Sequence, residues 1–148
     1  MLVQVKIVDA RLVSLKPEYA TPGSAAIDLR ACVDSALEVK PGEVLLVSSG
    51  LKVYIGDPNY CCLILPRSGL GHKKGLILGN GTGLVDSDYQ GVLQMSIWNR
   101  SNEAFKIEPL ERIAQLLFVP IVRPQFEIVD EFKDTSKRAD GGFGSTGS

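Results

Sequence analysis

Short apolar runs, each closed by a cluster of turn formers, constrain this chain more than any other feature. The β-type stretches are residues 2–8, 43–48, 51–55, 60–65, 92–99 and 113–122. Pro41-Gly42, Gly56-Asp57-Pro58-Asn59 and Ser101-Asn102 punctuate them. Proline presets one backbone angle, glycine admits positive φ, and Asn and Asp bond their own backbone, so such clusters turn a chain. Strands of this length and spacing predict an all-β protein, a sandwich or a barrel. Helix has little room: residues 68–75 allow one short turn, and Gly69, Gly71 and Gly75 work against more. Val44-Leu45-Leu46-Val47 and Cys61-Cys62-Leu63-Ile64-Leu65 are apolar without alternation. Such strands are covered on both faces, which predicts a closed core or burial against another subunit.

With 148 residues the chain is most simply one domain, long enough to bury about 70% of its unfolded surface. A net charge of −1 supplies no general attraction to nucleic acid or membrane. No apolar run approaches the ~18 residues of a spanning helix, and the N-terminus reads as a strand instead of a signal peptide. Cys32, Cys61 and Cys62 form an odd set without CxxC spacing, which argues against a disulfide framework and for a cytoplasmic location. The plainer reading of all three is as buried small hydrophobes. His72, the single histidine, falls in the polar turn Gly-His-Lys-Lys-Gly and reads as an exposed loop residue. After Phe132 the composition turns polar and then glycine-rich. The expected organisation is a β core over residues 1–132 and a mobile tail over 133–148.

Chemistry concentrates in Gly79-Asn80-Gly81-Thr82-Gly83-Leu84-Val85-Asp86-Ser87-Asp88-Tyr89-Gln90-Gly91. The pattern predicts a tight hairpin followed by a polar strand end. Its glycines let backbone approach a ligand closely. Asp86 and Asp88 stand at i and i+2, on one face if extended, and either could act as a general base. Taken alone, surface aspartates are the plainer reading. Pro66-Arg67-Ser68-Gly69 ends a predicted strand with a guanidinium, a hydroxyl and an open amide, the donors one anion would take. Gly142-Phe143-Gly144-Ser145-Thr146-Gly147 matches GxGxxG formally, but no helix can follow it, so a dinucleotide fold is excluded. Its hydroxyls and bare amides could still wrap phosphate, with Arg138 as a charge and Phe143 as a stacking face. A solvated tail is the rival reading.

In order and spacing these segments resemble the five motifs of the trimeric dUTP pyrophosphatases, the dUTPases. The motifs are Ser24-Ala25-Ala26-Ile27-Asp28-Leu29-Arg30-Ala31, then Pro66-Arg67-Ser68-Gly69-Leu70-Gly71, then the segment ending at Gly91. Glu111-Arg112-Ile113-Ala114-Gln115 and the tail from Arg138 complete the set. The resemblance implies a jelly-roll-like subunit, a homotrimer with shared active sites, and Mg²⁺-dependent hydrolysis of dUTP to dUMP and pyrophosphate. By position, Asp86 would activate the attacking water, with Gln115 near it. Asn80 and the hairpin, including Leu84 and Val85, would read uracil; Tyr89 would pack under the deoxyribose, and Gln94 belongs to the same binding set. Arg67, Ser68 and Gly69 would hold phosphates, and Asp28 would touch the metal only through water. Arg138, Phe143, Gly144, Ser145 and Thr146 would close as a lid. Asp88 is left with structural support. Ala26 stands where the family usually has glycine, and Gly81-Thr82 replaces a commonly apolar pair; both are expected to alter KM before kcat. The alternatives are a dCTP deaminase-like enzyme and a dUTP-sensing regulator on the same fold.

Overall fold

The computed structural model describes residues 1–134, together with Ser136 and Ala139. Ten strands lie among them: β1 (Gln4–Ile7), β2 (Ala26–Arg30), β3 (Leu37–Val39), β4 (Val44–Tyr54), β5 (Tyr60–Pro66), β6 (Leu76–Leu78), β7 (Gly83–Val85), β8 (Val92–Asn99), β9 (Phe105–Ile107) and β10 (Arg112–Pro120). They form one sheet in the order β1-β4-β8-β6, a second in the order β2-β10-β5-β7, and the two-stranded β3-β9. Every pairing is antiparallel. The all-β, jelly-roll-like expectation is therefore met.

The core lies between the two large sheets, because inward residues of both join one cluster. Val47, Leu93, Met95 and Ile97 come from the first sheet, and Leu29, Ile64, Ile113 and Leu116 from the second. Alternation sets these faces: on β8, Leu93, Met95, Ile97 and Asn99 are buried while the residues between them are less so. Asn99 is the polar member, and its side chain is fully bonded. Its Nδ2 donates to Val39 O (2.9 Å) and Glu103 O (2.7 Å), and its Oδ1 accepts from Ser101 N (3.0 Å) and Ser101 Oγ (2.7 Å). One side chain thereby ties the end of β8 to β3 and to the following turn.

The stretches 43–48 and 51–55 are one strand, β4, rather than two. Ser49-Gly50 interrupts its register with β8 between Ser48 and Lys52 without reversing the chain. Gly50 has φ +67°, and a Cβ there would lie 2.5 Å from Cys32 Sγ and 2.8 Å from Asp9 Cβ. It is a close-packed irregularity inside a strand. Val44 and Leu46, expected to be covered on both faces, point outward from β4 and are exposed. On β5 the expectation holds better: Cys61, Cys62 and Ile64 are buried and the other members half-buried.

Two short helical turns lie among the described residues: a 3-10 turn, Ala10–Val13, capped by Asp9, and a π-type turn, Leu70–Lys74, closed by Gly75 at φ +69°. After Pro120 no strand follows among the described residues, and Val122, Phe126, Ile128 and Phe132 are almost fully exposed.

Candidate functional site

Two clefts collect the predicted residues. The first, of about 270 Å³, is lined by Asn80, Leu84, Val85, Asp86, Tyr89 and Gln94, over a floor that includes buried Ile64 and Leu93. The second, of about 510 Å³, is lined by Asp28, Arg67, Ser68, Gly69 and Gln115, with Glu18, Ser24 and Ala26. They share no lining residue.

The first cleft is built by a corner, and here the hairpin expectation needs correcting. β6 pairs with β8 in one sheet, whereas β7 pairs with β5 in the other. The 79–82 turn therefore crosses between layers; Gly79 N still donates to Ser96 O of β8 (2.8 Å) and Thr82 N closes on Asn80 O (2.8 Å). The chain leaves β6 tightly packed on its own sheet: a Cβ on Gly79 would meet Val44 Cγ1 at 2.8 Å and Ser96 Oγ at 2.9 Å. Gly81 turns the chain at φ +71°, with Gly81 N donating to Leu78 O (3.1 Å).

Asp86 and Asp88 do not share an extended face. Tyr89 N donates to Asp86 O (3.3 Å), which makes residues 86–89 a turn just past β7. Asp86 lines the cleft and Asp88 does not. Their sequence spacing would be a pair only on a strand, and the chain has already turned. Gly56 N donates to Ser87 O (2.9 Å), which pins this turn to the one leaving β4. Buried Cys61 lies near Asp86; its thiol is pushed up first by burial and then by that carboxylate's charge.

The second cleft depends on register across β2-β10-β5. Gln115 sits opposite Asp28 on one side and Leu65 on the other, so Asp28, Gln115 and the end of β5 lie side by side. Gln115 Nε2 donates to Pro66 O (2.9 Å). Asp28 accepts from two guanidiniums: Arg67 Nε reaches its Oδ1 at 2.8 Å and Arg112 Nη1 its Oδ2 at 3.1 Å. Of the two guanidiniums only Arg67 lines this cleft; with Ser68 and Gly69 it supplies the donors an anionic ligand would take, beside the carboxylates of Asp28 and Glu18. Arg67 Nη1 also donates to Arg112 O (3.1 Å), which fixes its fork.

Motif reading gave Arg112 no role; it bonds Asp28 from outside the second cleft, lining a separate one that shares Asp28. It precedes Gln115 by three residues, and on a regular strand those two would face opposite ways. A bulge between Arg112 and Ala114 removes the mismatch and turns both toward Asp28. No local sequence signal marks that bulge. Arg138, Phe143, Gly144, Ser145 and Thr146 lie outside the described residues.

A cleft of turn backbone, carboxylate and ring, and a separate cleft with Arg67, Ser68 and Gly69, on an antiparallel sandwich, suit a β-sheet protein that handles a phosphorylated small molecule. The family model for dUTPase matches residues 14–147, and the chain belongs to that family. Over 147 residues it is 58% identical to the deoxyuridine 5′-triphosphate nucleotidohydrolase of Tolumonas auensis, covering 98% of this chain and 97% of that one. It superimposes on the Staphylococcus bacteriophage 80alpha dUTPase, solved with dUpNHpp, at a TM-score of 0.88 and 28% identity, covering 99% of each chain. A mutant dUTPase of S. aureus phage phi11, described with a structural Mg(II) ion in that protein, shares the fold at a TM-score of 0.80 and 22% identity, covering 90% of this chain and 100% of that one. No described helix is long and apolar enough to cross a membrane.

Proposed function

We propose that the protein hydrolyses dUTP to dUMP and pyrophosphate, keeping uracil out of DNA and supplying dUMP for thymidylate synthesis. The observation that carries this is the division of labour between the clefts. One offers Asn80, a carboxylate and an aromatic ring for a nucleoside, and the other offers Arg67, Ser68 and Gly69 for phosphates. Because no residue lines both, a complete site is best supplied by neighbouring copies. Exposed Val44 and Leu46 on β4, with Phe126, Ile128 and Phe132 beyond β10, provide apolar surface for the homotrimer that this requires.

In this mechanism uracil meets the 79–83 backbone and Asn80, and the deoxyribose lies on Tyr89. Asp86 takes a proton from water as the water oxygen attacks the α-phosphorus. The bond from that phosphorus to the bridging oxygen breaks, and pyrophosphate leaves. Gln115, anchored on Pro66 O, orients the water. Arg67 and the Ser68-Gly69 amides stabilise charge on the phosphate oxygens, where fixed donors contribute most.

The donors present fit Mg²⁺ carried by the triphosphate. Asp28 is a single carboxylate already flanked by two arginines, and the described residues contain no cluster of three His, Cys, Asp or Glu to cage a metal. Such an ion keeps its waters, so Asp28 reaches it through one of them. When bound, it neutralises charge developing on the phosphates. The lid role of Arg138, Phe143, Gly144, Ser145 and Thr146 rests on the family resemblance; truncation at Arg138 is expected to leave a folded protein with little activity. Three unpaired cysteines and a free-nucleotide substrate favour the cytoplasm.

The deciding experiment measures pyrophosphate release from dUTP, dCTP, UTP and dTTP with and without Mg²⁺. Turnover of dUTP alone, and only with Mg²⁺, is expected. Ammonia release from dCTP would instead select a deaminase, and dUTP binding without turnover a sensor.

A further inference from the structure

Gly91 has a conformation that any L-residue could adopt, unlike Gly50, Gly75 and Gly81, which hold positive φ. Backbone freedom is therefore not why glycine stands there. A side chain at this position would collide with one group, the ring of Tyr89. A Cβ on Gly91 would overlap Tyr89 Oη and Cζ and lie 3.0 Å from Cε2. The ring folds back over the chain two residues ahead, and its hydroxyl donates to Val92 O (3.2 Å), the first residue of β8. That β8 end also supplies Leu93 and Gln94 to the nucleoside cleft.

We propose that Gly91 is a positioning residue that determines sugar specificity by leaving the space in which the Tyr89 ring lies flat. Granted that Tyr89 gates the deoxyribose, as proposed above, the gate is two residues: a ring and the missing side chain beneath it. The ring is 43% exposed and packs little against the core, so a methyl group at 91 displaces it without disturbing the sandwich. Once displaced, the ring loses its bond to Val92 O and no longer fills the space where a 2′-hydroxyl would sit. The effect belongs in selectivity, with stability nearly unchanged.

The test compares kcat/KM for dUTP and UTP, and Tm, in Gly91→Ala, Tyr89→Ala and the double variant. Gly91→Ala is expected to lower the dUTP-to-UTP ratio by about 10- to 100-fold, with Tm within about 2 °C of the parent. The double variant should be no less selective than Tyr89→Ala. If Tyr89→Ala loses selectivity while Gly91→Ala keeps it, the inference is overturned and the Tyr89 gate stands. If Tyr89→Ala keeps selectivity, the gate itself falls and Gly91 with it. Should Gly91→Ala prove unstable, recovery of Tm in the double variant supports the ring clash, and no recovery overturns it.

Discussion

Asp28 Oδ1, on β2, and Arg67 Nε, one residue past the end of β5, meet at 2.8 Å although those strands are not neighbours; β10 lies between them. The pair spans β10 beside Gln115, with Arg112 closing the other carboxylate oxygen. Asp28 thus holds two guanidiniums in place, of which Arg67 lines the second cleft. Asp28→Ala is expected to reduce stability by less than about 1 kcal/mol, since the pair is partly exposed. It should raise KM for dUTP by about tenfold through loss of a charge-assisted bond that orients Arg67. Thermal melts and steady-state kinetics read the two effects separately.

Asp86 lines the first cleft, and Asp88 does not. Replacing Asp86 by Asn keeps shape and removes the base, so kcat should fall by about 10²–10⁴ with nucleotide binding retained. The same change at Asp88 should leave kcat within a factor of about three. Equal losses at both positions would restore the carboxylate pair that residues 86–89 deny by turning.

Asn99 is fully buried and makes four side-chain hydrogen bonds. Asn99→Ala removes the partners of Val39 O and Ser101 N, while Ser101 Oγ keeps Glu103 O (2.9 Å), and should cost about 3 kcal/mol. Urea unfolding at constant m-value measures it.

Stability should fail at both pH extremes for separate reasons. Side-chain hydrogen bonding from Arg11 holds Asp9 well below its ordinary 3.8. Its contribution is therefore present above that value and lost as pH falls through the acid range. Burial pushes Cys32 up to about 11 and Cys62 up to about 12, from an ordinary 9.0. Their contribution is complete below pH 9.0 and lost as pH climbs toward 11 and 12. A Tm profile against pH should show both flanks, and Cys32→Ala/Cys62→Ala should flatten the alkaline one. At pH 8 the native thiols should react slowly with an alkylating reagent, and fast once unfolded.

Much of the fold was legible because strand signals are local. The runs at 60–65 and 92–99 became β5 and β8 nearly residue for residue, since alternation and flanking turn formers act within a few positions. The short strands β2, β3 and β9 were not foreseen, being too short for any period to register, and β6 and β7 flank a turn expected to be a hairpin but do not pair with each other. Ser49-Gly50 looked like a break and is a packed bulge, because what distinguishes the two is Cys32 and Asp9 against Gly50, distant in sequence.

By itself the sequence determined the β class and, through five ordered motifs, the family and its cast of side chains. Tertiary structure decided which of them stand together. The chain cannot announce that 79–82 crosses between sheets, that a bulge at Ile113 turns Arg112 toward Asp28, or that Gly91 makes room for Tyr89. Register, layer and close contact depend on how the whole core packs, and no window of neighbouring residues contains that information.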